Sequence, residues 1–366
     1  MNGIRWAVPA LLLIFIALCG CTATHWSIAI NGDVSAAIND SAYGELQNCS
    51  ESFDGYTGVP LEIFLYHDGD YPITSVSFDN RTYNWTEVAY SAGYADIPML
   101  VLPNGSIYYE GTVTKPSDID VSIVERPNVS TLEIEPSVLY ALGIGGDDEL
   151  IHRNASRVVI FYVDALGYQR FTDARNESLV DNITSLGETI RAIDVFPSVS
   201  IVNSKTLVTG KPPDLEKGAL KSYYPDGPTM FDIAEQHGMK ALWVDGKATP
   251  VSLNQTLYTL DTNGDGLEGD EVADAAIAQY KAGENLMVVH FKDTDTIAHS
   301  TGPESPRSKA VLKHTDELIG KIVKSLDNGT VVVVFSDHGG HLIENGGNHG
   351  SLLPDDMIVP IVIGYA

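Results

Sequence analysis

Six side chains of metal-binding type fall in four short fragments of this chain, and one hydroxyl suited to nucleophilic attack lies among them. The fragments are VVIFYVDALG with Asp164, DTDTIAHSTGP with Asp295 and His299, VVVVFSDHGG with Asp337 and His338, and GGNHGSLLP with His349. The hydroxyl is Ser200 in FPSVSIVNSKTLVTG, with Ser198 and Ser204 as alternatives on either side. Three carboxylates and three imidazoles are a donor set for two adjacent divalent cations, zinc first, with manganese not excluded. A serine hydroxyl is a weak nucleophile near neutral pH until a cation or a base makes its alkoxide accessible. Together these residues point to metal-assisted attack on a phosphate ester. Asp337 and His338 are adjacent, so an irregular loop can turn both to one ion. Asp295 and His299 are four apart, so one helical turn puts both on one side.

Such a set needs a rigid frame, and the sequence from 156 onward supplies one. RVVIFYVD, ALWVDG, NLMVVHF, TVVVVFSD and MIVPIVIG are apolar runs of strand length and type. Between them KTLVTGKPP, PTMFDIAEQHG, DEVADAAIAQYKAG and SKAVLKHTDELIGKIVKSL read as helices, and 174–190 as a further one. The alternation predicts an α/β fold, a mostly parallel sheet flanked by helices. Asp164 and Asp337 fall at the C-terminal ends of two strands, and Asp295 and His299 just past a third. In open parallel sheets that edge binds ligands.

Residues 25 to about 135 have a different character. Apolar runs such as LEIFLYH, ITSVSF and IPMLVLP are separated by turn pairs at 54–55, 68–69 and 104–105, which is strand-and-turn spacing with one helix near 40–47. The expected organisation is a leader over 1–21, a smaller β-rich module over 25–150 that binds a ligand or acts as a spacer, and a catalytic domain over 151–366.

In this order the fragments resemble the alkaline phosphatase superfamily, and within it the type I phosphodiesterases/nucleotide pyrophosphatases, over about residues 156–366. The resemblance rests on Asp at the end of the first strand, a hydroxyl followed three residues later by Asn, D-x-x-x-H-x-x-G-P, D-H-G and a late H-G. It implies that Asp164, Asp337 and His338 hold one cation with Ser200 as fourth ligand, and that Asp295, His299 and His349 hold the other. It implies a phosphoserine intermediate and a hydrogen bond from Asn203 to a nonbridging phosphoryl oxygen.

The chain departs from the family pattern in places. The family's usual nucleophile is Thr followed by Phe-Pro-Asn, where this chain has Ser200-Ile201-Val202-Asn203. His290 stands five residues before Asp295, where nucleotide-specific members carry an aromatic residue to stack the base. No Arg adjoins Ser200, which favours diester over monoester hydrolysis. Rival readings are a phosphomonoesterase, a phosphotransferase or mutase, a sulfatase, which lacks its C/S-x-P-x-R context here, and a non-catalytic envelope binding protein. His341 reads as a loop histidine, His290 as a core or pocket-wall residue, and the turn beginning at Asp261 as a solvated acidic turn rather than a calcium loop, because its twelfth position is Val272.

With a formal charge of −27 over 366 residues no nucleic-acid polymer is expected as a partner, and a small phosphate ester held by local cations is favoured. Arg5 followed by the apolar run Trp6 to Leu18 reads as an export signal. It ends in Leu18-Cys19-Gly20-Cys21, a lipobox-like sequence that leaves lipidation of Cys21, plain secretion and an uncleaved anchor open. Eleven N-x-S/T sequons, from Asn39 to Asn328, point to a glycosylated exported protein at the cell surface or membrane.

Overall fold

The computed structural model describes residues 25–67, 71–88, 98–214 and 222–366. The leader, Cys21 and the turn at 68–69 lie outside the described residues. Among the described residues no helix is long and apolar enough to cross a membrane.

Residues 129 onward build an eight-stranded sheet in the order Val129–Ser130, Thr189–Ile193, Ile358–Tyr365, Val331–Phe335, Val158–Val163, Leu286–Phe291, Ala241–Asp245, Thr256–Tyr258. Ile358–Tyr365 runs antiparallel to both neighbours, and the other pairings are parallel. The expected mostly parallel α/β sheet is what the chain forms. Its middle strand shows why the sequence run is unbroken. Val158, Ile160 and Tyr162 enter one apolar cluster, and Val159, Phe161 and Val163 enter the other. Helices Ile134–Leu142, Ser200–Thr209 and Met230–Gln236 cover the first face. Helices Tyr168–Asn176, Gly269–Ala282 and Pro306–Val323 cover the second. Both faces are dry, so no polar alternation is needed.

The N-terminal region forms two five-stranded sheets. One is ordered Ala36–Asn39, Ser27–Gly32, Asp118–Ile123, Ile73–Phe78, Arg81–Asn84, and the other Glu51–Phe53, Tyr56–Pro60, Leu100–Val101, Ile107–Tyr109, Thr112–Thr114. Its core is shared with the larger sheet, because Ile193, Phe196, Leu352, Leu353 and Met357 pack into it.

Three expectations are corrected. LEIFLYH is the helix Leu61–His67, not a strand. The stretch 174–190 is not one helix: Tyr168–Asn176 ends, Ser178 takes a left-handed conformation at φ 56°, a single turn follows at Asp181–Thr184, and a strand begins at Thr189. Residues 129–142, expected in the first module, belong to the larger unit. Val129–Ser130 pairs with Thr189–Ile193, and Ile134, Val138 and Leu142 sit in the core under the large sheet.

Candidate metal centre and nucleophile

Three neighbouring parallel strands deliver the site. Val158–Val163 ends at Asp164. Val331–Phe335 leads through Ser336 to Asp337 and His338. Leu286–Phe291 leads into helix Asp293–Thr301, which carries Asp295 and His299. The chain turns sharply after Asp164, with Ala165 at φ 57°. The two turns pack backbone to backbone, since a Cβ on Gly339 would stand 1.8 Å from the carbonyl oxygen of Asp355 and 2.7 Å from the Cα of Gly167. The hairpin of His341–Ile343 and Gly346–Asn348 then returns His349 to the same edge.

The six expected ligands gather there. Donor atoms of Asp295, His299 and His349 lie within 4.8 Å of one another, as do those of Asp164, Asp295 and His338. Asp295 stands between the two groups rather than in one of them. Asp337 touches the second group through His338, with its Oδ2 3.2 Å from Nε2. That oxygen also accepts the Tyr162 hydroxyl at 2.5 Å.

The imidazoles are oriented alike. Nδ1 of His299, His338 and His349 lies 3.0, 2.7 and 2.8 Å from the backbone oxygens of Gly347, Gly339 and Ser198. A carbonyl only accepts, so each Nδ1 carries a hydrogen and each Nε2 is the nitrogen turned into the site. Nε2 of His299 and Nε2 of His349 face each other at 3.1 Å. Two lone pairs at that distance need a cation or a proton near them. Backbone-anchored imidazoles beside buried carboxylates are how proteins hold divalent transition metals. The donor set therefore fits the expected pair of cations.

Charge crowding shifts the acids and bases. Burial, followed by the charges of Asp337 and Asp295, raises Asp164 to about 7. Burial works against the imidazolium of His338, but Asp337, Asp164 and Asp295 outweigh it and lift the group to about 9. His349 falls to about 4, through burial and then repulsion from His338. Burial opposes protonation of His290 too, yet Asp245 and Asp164 carry it to about 10.

Ser200 opens helix Ser200–Thr209. Its Oγ lies 3.1 Å from Nε2 of His338 and 3.4 Å from Oδ1 of Asp164. It faces a cleft of about 770 Å³ also lined by Ile201, Tyr223, Thr249, Pro250 and Lys292. Ser198 donates to the oxygen of Ser351 at 2.8 Å, and Ser204 lies against the Tyr162 hydroxyl at 3.1 Å. Both are fully buried, which leaves Ser200 as the hydroxyl open to the cleft.

Asn203 is not brought to the cleft. Its Nδ2 donates to the oxygen of Val195 at 3.2 Å and approaches Oδ2 of Asp194 at 3.5 Å, bracing the loop before Ser200. His341 is not a loop histidine but a buried partner of Asp356, at 2.8 Å. The sequence reading missed Asp245 and Tyr162. Asp245 had the signal that marked Asp164, an aspartate closing an apolar strand. Tyr162 is the residue before the last in its strand and carried no polar pattern of its own.

Residues 247–359 match the family described as Type I phosphodiesterase / nucleotide pyrophosphatase. Over that stretch, which holds Asp295, His299, Asp337, His338 and His349, the resemblance read from the motifs is borne out. Among curated proteins, GPI ethanolamine phosphate transferase 2 of Yarrowia lipolytica is 38% identical over 66 residues, covering 18% of this chain and 7% of that protein. The catalytic subunit of human GPI ethanolamine phosphate transferase 3 is 33% identical over 66 residues, 18% of this chain and 6% of its own. The chain thus spans a small part of these relatives' length. Among solved structures, human ectonucleotide pyrophosphatase / phosphodiesterase 5 aligns at 14% identity and a TM-score of 0.43, over 57% of this chain and 87% of that one. Phosphonoacetate hydrolase from Sinorhizobium meliloti aligns at 13% identity and a TM-score of 0.40, over 73% of this chain and 60% of that one.

Proposed function

We propose that the chain is a metal-dependent phosphodiesterase that attacks phosphate diesters with Ser200 and passes through a phosphoserine. The observation that supports this most directly is the position of the Ser200 hydroxyl, between His338, Asp164 and the open cleft. Asp164, Asp337 and His338 with Ser200, and Asp295, His299 and His349, would hold two divalent cations, zinc by ligand type and manganese by similar donors. When bound, such cations lower the pKa of coordinated hydroxyls and neutralise charge on the phosphoryl group.

The residues supply the rest. The backbone carbonyls fix the imidazole tautomers before substrate arrives, so no reorientation is needed during reaction. As the first residue of a ten-residue helix, Ser200 lies in the positive field of the helix N-terminus, which favours its alkoxide. Ser200 gives up its proton to solvent, attack forms the Oγ–phosphorus bond and breaks the bond from phosphorus to the ester oxygen, and the departing alcohol takes a proton from solvent through the open cleft. Water then cleaves the Oγ–phosphorus bond and restores the hydroxyl. Asn203 acts by holding the loop that presents Ser200, not by touching phosphate.

Ser200→Ala should keep its metal and lose turnover of bis-p-nitrophenyl phosphate by about 10³-fold or more. Full turnover in a metal-loaded Ser200→Ala protein would remove Ser200 from the mechanism. The 66-residue matches to ethanolamine phosphate transferases favour a second reading, in which an alcohol replaces water in the second half-reaction. Incubation with acceptor alcohols separates the two, since a new phosphodiester product means transfer.

Export is part of the same proposal. Nine of the eleven sequon asparagines are exposed, as glycosylation requires. Asn39 and Asn182 are half-buried: Asn39 Oδ1 accepts from the Ser41 and Ala42 amides, and the Asn182 amide donates to Asp316 at 2.8 Å. The substrate is then a small phosphate ester met outside the cytoplasm, with the leader or a lipid on Cys21 as the membrane attachment.

A further inference from the structure

A buried chain of hydrogen bonds approaches the proposed metal centre from behind. It begins at Asp245, fully buried at the end of Ala241–Asp245. Asp245 accepts from Nε1 of Trp243 at 2.8 Å and from the Gly246 amide at 2.7 Å. Its Oδ2 lies 3.0 Å from Nδ1 of His290, and Nε2 of His290 lies 3.1 Å from Oδ2 of Asp164. His290 is 2% exposed. Its ring packs on Tyr162 at 4.2 Å between centroids, and the Tyr162 hydroxyl donates to Asp337.

We propose that His290, oriented by Asp245, is a positioning residue that occupies one oxygen of Asp164 and so presents the other to the cation on the His338 side. The inference rests on the metal-centre reading above. Three observations carry it. First, the two oxygens of Asp164 have different surroundings: Oδ2 meets Nε2 of His290 and Oδ1 lies 3.3 Å from Nε2 of His338, while Ser200 Oγ stands 3.4 and 3.5 Å from the two. Second, both ring nitrogens of His290 are engaged by carboxylates, so the ring is not available as a metal ligand, although it lies in the wall of the cleft. Third, backbone pairing fixes the parts. Tyr162 and His290 are register partners on adjacent parallel strands, and Asp245 ends the next strand over. A carboxylate anchored on one oxygen binds a cation through the other, which fixes both the distance and the charge delivered. Tyr162 anchors Asp337 differently, from the neighbouring strand, through the same oxygen that meets His338.

The test uses the full chain loaded with cobalt(II), whose visible spectrum reports ligand geometry. In folded His290→Gln, the amide donates to one carboxylate and sets its oxygen against the other. Cobalt affinity measured against a chelator should fall about 10- to 100-fold. The spectrum should change, and kcat on bis-p-nitrophenyl phosphate should fall with KM nearly constant. Asp245→Asn should move the same three readouts in the same direction by less. An unchanged spectrum and affinity in folded His290→Gln would overturn the inference. If His290→Gln does not fold, an unchanged spectrum in Asp245→Asn overturns it. A wild-type protein that binds cobalt but hydrolyses no diester would sink the phosphodiesterase reading alone, because the spectral comparison still decides the role of His290. A wild-type protein that binds no cobalt would sink both.

Discussion

The two regions of this molecule bury charge very differently. The N-terminal sheets enclose apolar side chains, and among the described residues there Glu62 is the buried acid. The larger sheet buries Asp164, Asp245, His290, Asp337, His338 and His349 at one edge. Withdrawing a carboxylate from water costs several kcal/mol unless partners compensate. The first region follows the ordinary rule. The second departs from it where aspartates and imidazoles converge, a donor set that suits divalent cations. Chemistry is therefore expected at that edge, with the N-terminal sheets as its support.

The sharpest way to break this contrast is Asp295→Asn. Asp295 belongs to both donor groups, so its loss weakens both sites at once. Metal content should fall from about two ions per chain to below one, and diester turnover by about 10³-fold. Elemental analysis after gel filtration checks the first and a p-nitrophenol assay the second. Retention of two ions would mean that Asp295 is not a ligand shared by the two sites.

A smaller effect follows from the shifted groups. Without metal, His338 keeps its proton up to about pH 9, because Asp337, Asp164 and Asp295 outweigh burial. A cation must displace that proton. Affinity should rise about tenfold per pH unit from 7 to 9 and then level off. Below about 7, Asp164 also holds a proton, so the slope should steepen there. His349, lowered to about 4, is already neutral and adds nothing in this window. Chelator competition between pH 6 and 9.5 measures the curve, and a flat profile would contradict the charge crowding described here.

The sequence revealed the metal-type residues because all but His349, which follows the hairpin strand Gly346–Asn348, lie at or just past the end of an apolar strand, a pattern set by local chain geometry. What it hid depends on strand order or on loop direction. The contact of Asp245, His290 and Asp164 needs three strands, far apart in sequence, to lie side by side. The amide of Asn203 is turned back by the loop through Asp194 and Val195, so motif spacing alone could not place it. LEIFLYH is short and buried on nearly every side, and such a run has no period to separate helix from strand. The junction expected near 150 failed for a related reason: helix Ile134–Leu142 is defined by the sheet it covers, which appears later in the chain.

The smallest effect tests whether the N-terminal region supports the site. Glu62 accepts from Nε1 of Trp85 at 3.1 Å and from the backbone amide of Leu352, three residues after His349. The amide of Ile73 donates to the oxygen of Leu352 at 2.8 Å, so the same short loop is held from two elements of the first region. Glu62→Ala would leave the indole and the Leu352 amide buried without their acceptor, at a cost of about 1–3 kcal/mol for each donor. Thermal unfolding should show that loss. The more telling measurement is cobalt affinity in the folded fraction. Should the region act as a buttress, the His349 loop loosens, affinity falls several-fold, and Glu62→Gln, which keeps an acceptor oxygen, recovers most of it. Should it be only a spacer, stability falls and affinity holds, and the two regions are then coupled through folding alone.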